Sequence, residues 1–82
     1  MLQQLADGKD RAVGFNQTMK AIHKGLACTV FLACDAESGL IETVREAALT
    51  RGLPVVETAT MRELGRACRI QVPCAAAALL NS

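Results

Sequence analysis

Pro73 to Leu80, PCAAAALL, is the longest apolar stretch of the chain. It is too short for the roughly 20 residues that a helix needs to cross a bilayer, so it reads as a strand buried in a sheet. A second run, Cys28 to Ala33, is apolar and β-branched, and Val55 to Glu57 reads as a further short strand. A brief extended piece is expected around Arg11 to Gly14.

Helical patterns fill the intervals. A short helix is expected from about Leu2 to Asp7. Phe15, Thr18, Met19, Ile22 and Leu26 recur on one arc at helical periodicity, with Gly25 as the stop. Ser38 to Gly52 reads as a helix whose Leu40, Ile41, Val44, Ala47 and Ala48 face inward, broken by Gly52-Leu53-Pro54. Thr60 is a good N-cap with Glu63 at the capping-box position, opening a helix to about Cys68. Strands alternating with helices imply crossover connections and a sheet covered on both faces. The expected fold is α/β, a three-layer α/β/α sandwich on a four-stranded mixed sheet, with residues 1–82 as one domain.

Half of the residues are apolar, which argues for a folded chain. The net charge is only +1, yet it is unevenly spread. Lys9, Arg11, Lys20 and Lys24 precede an acidic middle of Asp35, Glu37, Glu42, Glu46 and Glu57, and Arg62, Arg66 and Arg69 follow it. Such a pattern suits one basic and one acidic face, or else a solvated surface with no partner. A small basic face predicts few phosphate contacts and a shallow salt dependence. The N-terminus lacks the basic-then-apolar order of a signal peptide, so a cytoplasmic location is expected.

The polar side of the helix at residues 15–24 carries Asn16, Gln17, Lys20, His23 and Lys24. Its groups begin at the helix N-terminus, where free N–H groups and the dipole attract phosphate. Asn and Gln each present a donor and an acceptor to a base edge, and Lys donates to guanine, so three such groups within one turn can discriminate bases. The plainer alternative is that Asn16 caps the helix while Gln17 and Lys20 are solvated.

Beyond this helix, the order Gly14-x-Asn16-Gln17-Thr18-x-Lys20-Ala21-Ile22-x-Lys24-Gly25 is followed by an apolar strand ending in Asp35. Then come Glu63-Leu64-Gly65-Arg66-Ala67-Cys68 and Val72-Pro73-x-Ala75-Ala76-Ala77. From about Val13 to Leu80 this order resembles the kink-turn RNA-binding ribosomal proteins, the "L-seven-Ae" family, and is similar above all to their small bacterial YbxF-like members. Their fold, four strands with helices on either side, agrees with the reading above.

The resemblance implies a monomeric binding protein without cofactor or metal. Its partner would be structured RNA containing a kink-turn, in ribosomal RNA or a riboswitch-like RNA. A kink-turn is a duplex bent at a three-nucleotide bulge beside tandem sheared G·A pairs, which opens the otherwise narrow major groove. By this likeness Asn16, Gln17 and Lys20 contact the guanine edges and Lys24 the backbone. The loop Arg69-Ile70-Gln71-Val72-Pro73 would cover an extruded base with Ile70 and Val72, stiffened by Pro73. On the residues alone, Ile70 and Val72 read first as plugs for the end of the core. The chain departs from the family at Arg69, often Gly, and at Gln71, often acidic. A left-handed cap costs an Arg roughly 1 kcal/mol, so either the helix ends differently here or the charge touches a phosphate. Gln17 replaces a Glu of archaeal and eukaryotic members.

The four cysteines are spaced Cys28-x5-Cys34 and Cys68-x5-Cys74. Six residues of extended strand span roughly 20 Å, so Cys28 and Cys34 cannot share a zinc ion across that strand. A Cys68–Cys74 disulfide is conceivable, although a cytoplasmic chain keeps its thiols reduced. All four read as small buried apolar residues. Cys34, between a strand and a helix, resembles the placing of a phosphate-handling nucleophile, but Asp35 and Glu37 beside it would repel the anion. His23 lacks a sequence-visible catalytic partner. A protein-interaction or ribosome-assembly module is the remaining alternative. With no Trp or Tyr, and with Phe15 and Phe31 expected inside, stacking of single strands on an aromatic sheet face is disfavoured.

Overall fold

The structure, a computed structural model, describes residues 10–80. The helix expected over Leu2 to Asp7 lies outside those residues. Seven elements follow one another: β1 (Arg11–Val13), α1 (Phe15–His23), β2 (Ala27–Ala33), α2 (Ser38–Thr50), β3 (Val55–Ala59), α3 (Met61–Ala67) and β4 (Ala76–Leu80).

The strands form one sheet in the order β1-β4-β2-β3. β4 runs antiparallel to both β1 and β2, with Ala78 opposite Ala12 on one side and Val30 on the other. β2 and β3 are parallel, joined over α2. The mixed four-stranded sheet therefore matches the expectation, and the apolar run ends up in an interior strand.

Alternation along the two inner strands divides the core. Val30, Leu32, Ala76 and Ala78 face α1 and α2, where Ile22, Val44 and Ala48 are buried. Phe31, Ala33, Ala77 and Leu79 face α3, where Leu64 and Cys68 meet them. Small side chains on β4 leave room for the large ones beside it. Phe31 is the largest fully buried residue, and its burial contributes on the order of 1.5–3 kcal/mol.

Local signals account for most boundaries. Thr60 and Glu63 form the expected capping box, with the Glu63 N–H donating to Thr60 Oγ1 at 3.2 Å and the Thr60 N–H to Glu63 Oε1 at 2.9 Å. Asp35 adds a second cap, accepting the Met61 N–H at 2.8 Å. This carboxylate, which the sequence does not mark as a cap, holds the start of α3.

All three helices end in the same double turn, in which a left-handed residue follows the cap. In α1 the Leu26 N–H donates to the Ala21 carbonyl and the Gly25 N–H to that of Ile22; in α2 the pairs are Leu53 with Ala48 and Gly52 with Leu49. In α3 they are Ile70 with Gly65 and Arg69 with Arg66. Gly25 and Gly52 supply the left-handed residue in the first two, and Arg69, at φ 61°, takes it in the third. Arg69 thus adopts the glycine-type cap despite its side chain.

Three expectations are corrected. Leu26 does not join the core arc: the left-handed turn at Gly25 carries it off the helix, and it is 46% exposed. The helix expected to run to Gly52 ends at Thr50, because Gly52 forms the turn beyond its cap. Cys28 and Cys34 are exposed, and only Cys68 and Cys74 are buried.

Candidate nucleic-acid interface

The first turn of α1 is built around Gly14, which takes φ 93° and ψ 163° at the N-cap position. That region of backbone space is essentially restricted to glycine. No side chain caps the helix, and no acidic residue lies in its first turn. Asn16 is the second helical residue and does not act as the cap, which removes the plainest alternative for it. The leading N–H groups and the positive end of the dipole consequently face outward.

Thr18, Ala21 and Ile22 bury the inner side of α1, with Phe15 and Met19 half-buried against the same core. Asn16, Gln17, Lys20, His23 and Lys24 are exposed on the other side. Among the described residues, the side chains of Asn16, Gln17, Lys20 and Lys24 have no hydrogen-bond or ion-pair partner. Gln17, Lys20 and Lys24 line a shallow groove with Arg11, floored by Leu26 and Leu80. Arg11 borders this groove, but its guanidinium is turned toward α3.

The second segment, Arg69 to Pro73, leaves α3 through the left-handed Arg69 and returns to β4. Arg69, Gln71, Val72 and Pro73 are exposed, Val72 at 62%. Ile70 is half-buried and packs against the cluster of Phe31, Leu64 and Cys68. The two roles open for the apolar pair separate here, with Ile70 plugging the core end and Val72 presented outward.

Three contacts fix the loop. The Arg11 guanidinium donates to the Cys68 carbonyl at 3.0 Å, placing a cation at the C-terminus of α3. The Cys74 N–H donates to the Met61 carbonyl at 3.0 Å. Gly65 approaches the loop so closely that a Cβ there would collide with the Val72 carbonyl oxygen. Neither the Arg11 contact, across 57 residues, nor the Gly65 approach has a local sequence signal.

The two segments meet at one end of the sheet. Gly14 donates its N–H to the Ala76 carbonyl at 2.9 Å, so the entry to α1 and the entry to β4 are hydrogen-bonded neighbours. An outward-facing polar helix start and an exposed apolar loop therefore lie side by side.

Behind the loop, the neighbouring Cys74 thiol together with burial pushes the Cys68 thiol up. Cys74 Sγ also donates to the Ala76 carbonyl at 2.9 Å. Among the described residues no group of three or more His, Cys, Asp or Glu side chains is placed to hold a metal ion, and no helix is long and apolar enough to cross a membrane. Of the acidic side chains, Glu42 and Glu46 lie on α2, Glu57 pairs with Arg45, and Asp35 and Glu63 cap α3.

Comparison with known proteins gives this geometry a family. The model of the ribosomal protein L7Ae/L30e/S12e/Gadd45 family matches residues 1–82. The chain is 43% identical over 69 residues to RNA-binding protein YbxF of Geobacillus stearothermophilus, covering 84% of each. It is 40% identical over 68 residues to the large ribosomal subunit protein eL8 of Halobacterium salinarum, covering 82% of this chain and 57% of that protein. Among solved structures, the 15.5kD RNA binding protein of Giardia lamblia superposes with a TM-score of 0.86 at 27% identity, covering 99% of this chain and 68% of that one.

Proposed function

Because the chain belongs to the ribosomal protein L7Ae/L30e/S12e/Gadd45 family, we propose that it is an RNA-binding protein that recognises kink-turns and stabilises their bent form. The observation that carries this reading is the Gly14–Ala76 hydrogen bond, which ties the start of α1, with its unpartnered polar side chains, to the first residue of β4, just after the exposed loop.

In this reading α1 enters the major groove that the kink has widened. Asn16, Gln17 and Lys20 hydrogen-bond the edges of the sheared G·A pairs, and Lys24 meets the backbone. Gly14, lacking a side chain, lets the RNA approach the first turn. Val72 and Pro73 cover the extruded base, with Ile70 supporting them from the core. Arg69 and Gln71 flank that base, Arg69 against a phosphate. Specificity rests on shape and a few base contacts, which suits a net charge of +1.

Binding selects the bent conformer from the RNA ensemble, so its free energy appears as a shift in that population. No bond in the RNA is made or broken. The curated relatives named above carry the names of RNA-binding and ribosomal proteins and not of enzymes. The cytoplasm is the compartment this reading implies, and the protein acts as a monomer. A ribosome-assembly role is the second reading, favoured by the likeness to a large-subunit protein.

The test is a hairpin carrying a kink-turn, with a fluorescence donor and acceptor at the ends of its two arms, in magnesium-free buffer. Added protein should raise energy transfer as the arms close. Unchanged transfer at saturating protein would contradict the proposal.

A further inference from the structure

The loop has a second side. Arg62 and Arg66 stand one turn apart on α3 and line a groove with Ile70, Gln71, Val72 and Pro73. Leu64 and Gly65 bury the opposite face of the helix, so both arginines are exposed. Neither guanidinium has a hydrogen-bond or ion-pair partner among the described residues. The two carboxylates at the start of α3 are already engaged, Glu63 with the Thr60 N–H and Asp35 with the Met61 N–H.

Two uncompensated guanidinium groups beside an exposed apolar wall form a site for an anion attached to an apolar body. Arginine is suited to phosphate oxygens, which it can meet with two parallel N–H bonds. The groove opens beside Val72, on the side of the loop that faces α3 rather than α1. We propose that it holds the phosphodiester backbone of the RNA strand leaving the loop, so that the footprint runs from α1 across the loop onto α3. This rests on the RNA-binding reading above and gives a role in it to Arg62 and Arg66, which that reading left without one.

Counterion release makes the inference measurable, because each phosphate contact steepens the salt dependence of binding by about 0.7–0.9 in log–log slope. The affinity of the full chain for a kink-turn hairpin is measured by fluorescence anisotropy over a series of potassium chloride concentrations. Wild type is compared with Arg62→Gln/Arg66→Gln and with Arg62→Lys/Arg66→Lys. The Gln pair should keep the preference for kinked over straight RNA while its slope becomes shallower by about 1.5. The Lys pair, retaining both charges, should stay near the wild-type slope, which separates charge from packing. A Gln pair with the wild-type slope would overturn the inference while leaving kink-turn recognition standing. Loss of kink preference in wild type itself would overturn both.

Discussion

The Val72 carbonyl oxygen occupies the space where a side chain on residue 65 would begin, so Gly65 and Val72 can be neighbours only while residue 65 is glycine. The loop that presents Val72 is seated on bare helix backbone, and its position is set by an absent methyl group.

Gly65→Ala should therefore move the loop. Overpacking of this kind costs about 1–3 kcal/mol, more than the roughly 1 kcal/mol that alanine returns in helix propensity. Melting should show a loss of stability. Binding to a kink-turn hairpin should weaken by about tenfold, the equivalent of about 1.4 kcal/mol.

Arg69 holds φ 61° at a position that the other two helices give to glycine. Relief of its left-handed strain, about 1–2 kcal/mol, exceeds the 0.5–1 kcal/mol of extra chain entropy that glycine brings. Arg69→Gly should raise the melting temperature by about 3 °C. RNA affinity should fall, since the substitution also removes the guanidinium proposed to meet a phosphate. The opposite signs of the two effects distinguish a binding residue from a structural one.

Thr18 is fully buried in α1, and its hydroxyl has no hydrogen-bond partner. A buried polar group left unpaired costs about 1–3 kcal/mol. Thr18→Val keeps the branched shape and removes the oxygen, so it should stabilise the protein by about 1 kcal/mol in denaturant unfolding. The proposed base contacts lie on the other face, so RNA binding should be unchanged.

Glu57 accepts from Arg45 Nε at 3.1 Å, and that hydrogen bond, partly opposed by burial and aided by the guanidinium charge, holds its carboxyl below the usual range. A depressed carboxylate pKa contributes stability that is present above the ordinary glutamate value of about 4.3 and is lost as pH falls through the lowered one. Glu57→Gln should melt below wild type at neutral pH. The difference should close in acid and shrink in high salt, because the pair is solvent-accessible.

Much of the fold was legible because its signals are local. The apolar run at Ala76–Leu80, the Thr60–Glu63 capping box and the glycine stops at Gly25 and Gly52 each act within a few residues. The polar face of α1 followed from periodicity in the same way. What escaped was long-range: Asp35 capping Met61 and Arg11 reaching Cys68 have no neighbour in the sequence that announces them. Leu26 fitted the helical period, but periodicity cannot register that Gly25 has already turned the chain away.

The central claim is recognition of kinked RNA by the α1 face, and paired calorimetric titrations test it most directly. One hairpin carries the kink-turn, and the other has Watson–Crick pairs in place of the sheared G·A pairs. The protein should bind the first much more tightly. Asn16→Ala and Lys20→Ala should each remove about 1–3 kcal/mol of that preference, whereas Arg45→Ala, on α2, should leave it intact. Equal binding to both hairpins, or equal small effects of the three substitutions, would contradict it.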